Sequence, residues 1–419
     1  MSLSNITLTA AVRQNLLSLQ GTADLLATTQ SRLATGKKVN SALDNPTNFF
    51  TAAGLDARAS DISNLLDSIG NGVQVLQAAD TGITSLSKLV DTAKSIANQA
   101  LQQPSGYTSK SSVAFTGANA AVGTATAANL NQGALTGSVI TFTTKAGTAA
   151  TITVGATYTA FDSTAKTATV NSLDQLNQAL SDAGVHLTAS FDAAAPTKLT
   201  FTSTNDASGQ TITAGATVTT PTALDAVDIS AAAASGTLGT VAAAVKDTVS
   251  QTARAGLVAQ YNQIIDQIKT TAQDASFNGI NLLNGDTLKL VFNETGKSTS
   301  TIGGVTFDPN GLGLSKLTAG TDFTDNFTTN NVLTSLNTAS TTLRSQASAF
   351  GANLSIVQIR QSFNKSLINV LQTGSSALTL ADANEEAANS QALSTRQSIA
   401  TSALSLANQS QQSVLQLLR

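Results

Sequence analysis

The sequence predicts an α+β multidomain fold: a long antiparallel coiled-coil helical core formed by both termini, plus a β-rich, solvent-exposed central insert. Three observations predict it. The stretch Ala387–Arg419 has no proline, glycine or acidic residue, and Leu393, Gln397, Ala400, Leu404, Ala407, Gln411, Val414 and Leu418 recur at alternating steps of four and three. That is the seam of a coiled coil, and a seam needs a partner helix. The second such seam lies at the other end, between about Leu3 and Leu33, at Val12, Leu16, Leu19, Ala23, Leu26, Gln30 and Leu33. Between them, from Pro104 to about Thr240, the texture changes to Thr, Ala and Gly with short strand-like runs. The termini are therefore expected to pair with each other, with everything between them a long excursion.

Taken in order, the first helix is expected to end near Leu33, where Gly36 breaks it and Lys37 and Lys38 suit the negative end of the helix dipole. Asp44 or Asn45 can cap the next helix, with Pro46 at its first position. That helix runs from about Thr47 to Gln102, with a seam at Ile62, Leu66, Ile69, Val73, Leu76, Asp80, Ile83, Ser87 and Val90. Gly70, Gly72 and Gly82 inside it imply either close helix contacts or one short break. The insert is expected to run β-β-α-β-β, with strands at 139–143, 150–154, 187–191 and 198–202 around a helix at 172–183. Helical periodicity returns near Val245 with Leu257, Tyr261, Ile264 and Ile268, and Phe277-Asn278-Gly279 signals a turn. Two strands follow, 288–292 and 304–307, around a loop containing Gly296. The next helix carries Leu336, Ala339, Leu343, Ala347, Phe350, Leu354 and Val357, continuing through Phe363, Leu367 and Val370. A looser stretch with Gly374 and Asp382 leads to the C-terminal seam.

The expected domains are 1–45 with 375–419 (terminal coiled coil), 46–103 with 245–374 (helical bundle plus β-hairpin), and 104–244 (β-rich outer insert). The terminal seams are predicted to pack subunits, through Val12, Leu16, Leu19, Leu26, Leu33, Leu393, Leu404, Val414 and Leu418. The bundle is predicted to pack on Ile62, Leu66, Ile69, Val73, Leu76, Leu257, Ile264, Ile268, Leu343, Phe350, Leu354 and Val357. Five large aliphatics cannot offset the ordering of some thirty residues in one hairpin, so neighbouring copies are expected to supply further burial. Leu17, Leu25, Leu406, Leu415 and Leu417 widen the apolar faces toward such neighbours.

Composition agrees. In 419 residues, charged side chains make up 11% and net charge is −3, against about 25% charged in soluble proteins. So neutral a surface gives little protection from self-association. There is no basic stripe for nucleic acid. No apolar run is long enough to span a membrane. The N-terminal MSLSNITLTAAVRQN lacks the basic start and apolar core of a secretory signal. Cysteine is absent and His186 is the lone histidine, which excludes a Cys–His pair or multi-His zinc site. Glu385 and Glu386 are adjacent and diverge around a helix, and Ser31 stands where a phosphate loop ending at Gly36-Lys37 needs glycine. No enzyme, cofactor or metal site is expected.

SRLATGKKVNSALDNPTNFFTA (Ser31–Ala52), Phe277-Asn278-Gly279 followed by Leu282 and Leu283, and the ending ANQSQQSVLQLLR resemble the signatures of bacterial flagellin. The likeness covers roughly 1–103 and 245–419. In the middle, NSLDQLNQALSD (Asn171–Asp182) and the stretch after it resemble the small hook-IN module found inserted in flagellins. The resemblance implies a filament subunit for swimming motility, secreted and extracellular, with terminal seams lining an inner tube, the bundle forming the wall and the insert outside. It implies partnership with other copies, with hook-associated junction and cap proteins, with the flagellar export apparatus and with a chaperone that binds the C-terminal region. A hook–filament junction protein, which shares the terminal motifs, is the alternative. The sequence departs from the family at Asp44-Asn45 and Pro46–Phe49, and at Asp91–Ala97, where DTAKSIA replaces an arginine-rich pattern.

Overall fold

The computed structural model describes residues 10–119, 122–145, 147, 149–217, 220–221, 226–232 and 234–417. The order is α1 (Ala10–Thr35), α2 (Pro46–Gln102), β1 (Tyr107–Ser109), β2 (Ser112–Gly117), β3 (Val139–Thr144), β4 (Ala149–Val154), β5 (Thr159–Asp162) and β6 (Thr167–Val170). Then come α3 (Leu173–Asp182), β7 (Leu187–Phe191), β8 (Lys198–Ser203), β9 (Thr211–Gly215), β10 (Ala226–Ala231), β11 (Gly236–Leu238) and β12 (Val245–Lys246). The chain finishes with α4 (Thr248–Asp274), β13 (Thr287–Val291), β14 (Thr299–Gly303), α5 (Asn326–Thr379) and α6 (Ala383–Leu417). The architecture is α+β with long helical termini and a β-rich centre, as the sequence predicts.

The chain forms two compact units. One comprises Met1–Gln74, Lys289–Ile302 and Leu354–Arg419; the other comprises Val75–Leu288 and Gly303–Asn353.

In the first unit α1 lies along α6. Two breaks meet side by side where α1 ends and α6 begins, which makes the pair antiparallel. Gly36, at φ +69°, ends α1 in the left-handed region. Its carbonyl accepts from Ala381 N (3.0 Å), and Thr379 O accepts from Lys38 N (2.7 Å). Asn45 caps α2, its Oδ1 accepting from Asn48 N at 3.0 Å. Asp44 instead closes the preceding turn, accepting from Asn40 N (2.9 Å) and Ser41 N (2.8 Å). Those backbone donors hold its carboxyl below the usual range. Lower down, Ala59 and Ile62 of α2 cluster with Leu371 of α5. Leu290 of β13 fills the space left by Gly72. Glu294 pairs with Arg58 at 2.8 Å, and Asn364 Nδ2 donates to Phe292 O at 3.0 Å.

In the second unit the insert is a two-layered β structure. Six strands run β5-β6-β4-β3-β10-β9 and four run β11-β2-β8-β7. Their inner faces and α3 enclose one core, with Phe142 of one sheet edge-on to Phe201 of the other at 5.2 Å. A capping box starts α3: Ser172 Oγ accepts from Gln175 N, and Gln175 Oε1 from Ser172 N. At the base of the insert Arg254 of α4 is buried and donates to Phe323 O (2.9 Å), Pro104 O (3.1 Å) and Gln103 O (3.2 Å).

The structure corrects several expectations. The long helices bury strict seven-residue repeats: Ile62, Ile69, Leu76, Ile83, Val90 and Ala97 in α2, and Leu336, Leu343, Phe350, Val357, Asn364 and Leu371 in α5. Asp80 is exposed and Ser87 half-buried, while Ala79 and Leu86 are buried in their place; burying the Asp80 carboxylate unpaired would be costly. Phe363 and Val370 are exposed, one step out of phase with Asn364 and Leu371. The polar Asn364 holds the seam position because Phe292 O satisfies it. In α4 Ile265, not Ile264, is buried alongside Ile268. The helix runs unbroken through Gly70, Gly72 and Gly82, and two of the three mark close approach: Gly72 meets Leu290, and Gly82 faces Leu283 and Ala275 so closely that an added Cβ would sit 2.6–2.7 Å from them. The second hairpin strand is Thr299–Gly303, not 304–307. Gly304 N, Val305 N and Phe307 N instead bond back to the carbonyls of Asp286, Leu282 and Leu283. The insert has many more strands than β-β-α-β-β, including the parallel pairs β4–β6 and β9–β10.

Candidate assembly surface

Along α6 from Gln391 to Ser410, Leu393, Gln397, Ala400, Leu404 and Ala407 are half-buried and every other residue is exposed. They are the seam positions, and they alone are shielded. On α1, Val12 is buried, Leu19, Ala23 and Leu26 are half-buried, and Leu16 and Leu33 are exposed. The side chain of Val414, and Leu418 altogether, lie outside the described residues. At the closed end Arg32 Nη1 reaches Glu386 Oε1 at 3.3 Å. Glu386 sits in the first turn of α6, where a carboxylate also meets the helix dipole favourably. Neighbouring Glu385 points to solvent, so the adjacent carboxylates do diverge.

A seam this shallow leaves much apolar surface bare. Leu17 and Leu25 of α1 and Ile399 and Leu406 of α6 are exposed on the sides away from the seam, and Leu43 and Phe50 flank the break. On α5, Ile356, Phe363 and Val370 recur every seven residues and are all more than half exposed. Most of the large exposed hydrophobics among the described residues belong to the first unit. A concentration of this kind marks an interaction surface. The α5 stripe is not in the expected packing set, which stops at Val357, although the helical pattern continues through Phe363 and Val370. The signal was there: two parallel sevens, 356–363–370 and 357–364–371, cannot both face one partner.

The bundle residues divide by depth. Ile62, Ile69, Val73, Leu76, Leu257, Ile268, Leu343, Phe350 and Val357 are buried. Leu66, Ile264 and Leu354 are half-buried.

Reactive chemistry is sparse. His186 packs its ring on Phe327 at 4.6 Å. Among the described residues no cluster of three His, Asp or Glu is placed to hold a metal, and no helix is long and apolar enough to cross a membrane.

Residues 6–116 match the family model of the bacterial flagellin N-terminal helical region, and 333–418 that of the C-terminal helical region. Among curated proteins the chain is similar to flagellin FljM of Caulobacter vibrioides, 34% identical over 181 residues, covering 42% of this chain and 65% of that one. It is 33% identical to flagellin FljK of the same organism over the same shares. A flagellin of Brucella melitensis is 31% identical over 171 residues, 38% of this chain and 60% of that relative. The chain thus spans somewhat less than two thirds of the length of these relatives.

Proposed function

We propose that this chain, which carries both the N- and the C-terminal helical regions of bacterial flagellin, is a structural subunit of the flagellar filament, a helical propeller for swimming. The observation that carries the reading is the pairing of the two family-matched ends into α1–α6 with apolar flanks left uncovered. A helix pair that covers its own seam and nothing else gains its remaining burial from copies of itself. In this reading 1–45 with 375–419 line the tube, and Val12, Leu16, Leu19, Leu26, Leu33, Leu393, Leu404, Val414 and Leu418 pack subunits. The segments 46–103 with 245–374 form the wall, and 104–244 faces outward. The role is structural rather than catalytic, and the working location is extracellular. Hook-associated junction and cap proteins bound the polymer, and the export apparatus with a C-terminal-binding chaperone delivers it. The junction-protein alternative has no observation in its favour.

Electron microscopy of purified protein at neutral pH, seeded with filament fragments, tests this. Long tubular filaments are expected; short caps or no polymer would overturn the reading.

A further inference from the structure

The chain enters the insert through β1 and leaves it through β12, and these two strands pair. Between that ribbon, the turn before β9 and the loop 320–324 lies a cleft of about 270 Å³. All its lining residues belong to the second unit. At about 30 Å³ per water it has room for a small molecule or for roughly nine waters. Gly209 shapes one wall: a Cβ there would collide with the Tyr107 phenol, so only bare backbone lets that ring lie so close. Two polar groups give the cleft its chemistry. Gln210 is 3% exposed, and its Oε1 accepts from no donor among the described residues. A buried acceptor left without a donor carries a desolvation cost that a ligand's donor would offset. Lys246 is the one charged side chain among the described residues that line the cleft. Its Nζ donates to Gly320 O at 2.8 Å, which uses one of an ammonium's three donors. It joins no ion pair among the described residues. Ile212, Val241 and Ala244 supply apolar lining, and a few placed polar groups on such a lining are what a small-molecule site needs.

We propose that this cleft binds a small carboxylate with a hydrogen-bond donor on the adjoining carbon, an α-hydroxy or α-amino acid. The carboxylate answers the Lys246 ammonium, and the donor answers Gln210 Oε1. A neutral polyol would leave the charge unused, and a plain carboxylic acid would leave the amide oxygen unpaired. By bridging the β12 lysine and the turn before β9, the ligand ties the exit of the insert to its sheet. The proposal goes beyond filament assembly and does not depend on it, because the cleft is complete within one chain.

Propionate, lactate and alanine test it on the full chain, since they share a three-carbon skeleton and differ in the donor. Ligands this small bind weakly, so saturation-transfer NMR titrations of dilute monomer are the readout. Lactate, alanine or both are expected to bind at least tenfold more tightly than propionate, and which of them binds identifies the donor. Gln210→Leu should abolish that preference, and Lys246→Met should weaken binding at least tenfold. Lys246 is exposed, so its variant is expected to keep the fold, as circular dichroism will check. Gln210 also borders a smaller cleft of about 150 Å³ beside His186 and Phe327, which Lys246 does not line. Binding that survives Lys246→Met would therefore place the ligand elsewhere and overturn the proposal. No saturable signal from any of the three acids would mean that water fills the cleft. Equal affinity for all three would mean that Gln210 Oε1 takes no part. Either result overturns the proposal and leaves the filament reading standing.

Discussion

Arg254 shows how one side chain can hold three passes of the chain together. Its guanidinium donates to carbonyls at the end of α2, at the entry to the insert and just before α5, and none of these partners is a carboxylate. A planar fork with five donors suits scattered carbonyls in a way an ammonium does not. Arg254→Leu would leave the buried Phe323 carbonyl unpaired and take the donor from the half-buried Gln103 carbonyl and from Pro104 O, and we expect it to cost about 2–4 kcal/mol. Chemical denaturation followed by far-UV circular dichroism reads this, and a loss below about 1 kcal/mol would sink the assignment. Tyr261, one turn pair along α4, is buried and edge-on to Phe323 at 5.9 Å. Burial, with the Asp322 charge assisting, pushes its hydroxyl up to about 12. The fold therefore favours the neutral phenol. That contribution is fully present below the ordinary tyrosine value near 10 and is lost as pH rises through about 12. The denaturation midpoint should fall over that window, and Tyr261→Phe should flatten the fall; an unchanged alkaline profile would count against it.

Among the elements, α5 has two faces with separate tasks. One carries Val357, Asn364 and Leu371 inward; the other leaves Ile356, Phe363 and Val370 bare one position away. Phe363→Glu should leave the melting temperature of the monomer within about 2 °C, since an exposed site contributes little to folding. The same change should block seeded filament growth, because a carboxylate would be buried unpaired at the new interface. Growth at the wild-type rate would show that the stripe stays in solvent. How much of this was legible follows from period and phase. The seven-residue period of every long helix, the seam of α6, Asn45–Pro46 as a helix start and the turn at Phe277-Asn278-Gly279 could all be read, whereas on α1 Leu16, Gln30 and Leu33 of the expected seam are exposed and Thr29 is buried. That turn is real: Asn278 and Gly279 have φ of +51° and +79°, and Phe277 and Ile280 exchange backbone bonds. Phase was harder, because the sequence reading weights large apolar residues and Asn364 is polar; its partner, Phe292 O, lies 72 positions away. Strands β1, β2, β5, β6 and β9–β12 were missed for another reason. They are at most six residues long and mostly set in stretches rich in Thr, Ala and Gly, and β10 (AVDISA) is buried on both faces without alternation. Parallel pairing such as β9–β10 leaves no hairpin turn to read.

For the molecule as a whole, stability is expected to be unequal between its parts, and the inequality serves assembly. The insert closes a core of fully buried side chains from two sheets and a helix. The α1–α6 pair has only half-buried seam positions along most of its length, with Val12, Thr29 and Glu386 as its well-buried side chains among the described residues. The Arg32–Glu386 ion pair, the one between these helices among the described residues, is partly exposed and worth little by itself. Helices of this kind draw their stability from packing, not from propensity, so a pair with little packing opens at low free-energy cost. Hydrogen exchange of dilute monomer should therefore show α1 and α6 exchanging at least a hundredfold faster than α4 and the strands of the insert. Limited proteolysis should trim both ends before the insert is cut. In filaments the same amides should become as protected as those of the insert, because neighbouring copies then cover Leu17, Leu25, Ile399 and Leu406. Termini already protected in the monomer would mean that the pair is a finished core, and the case for completion by neighbouring subunits would fail.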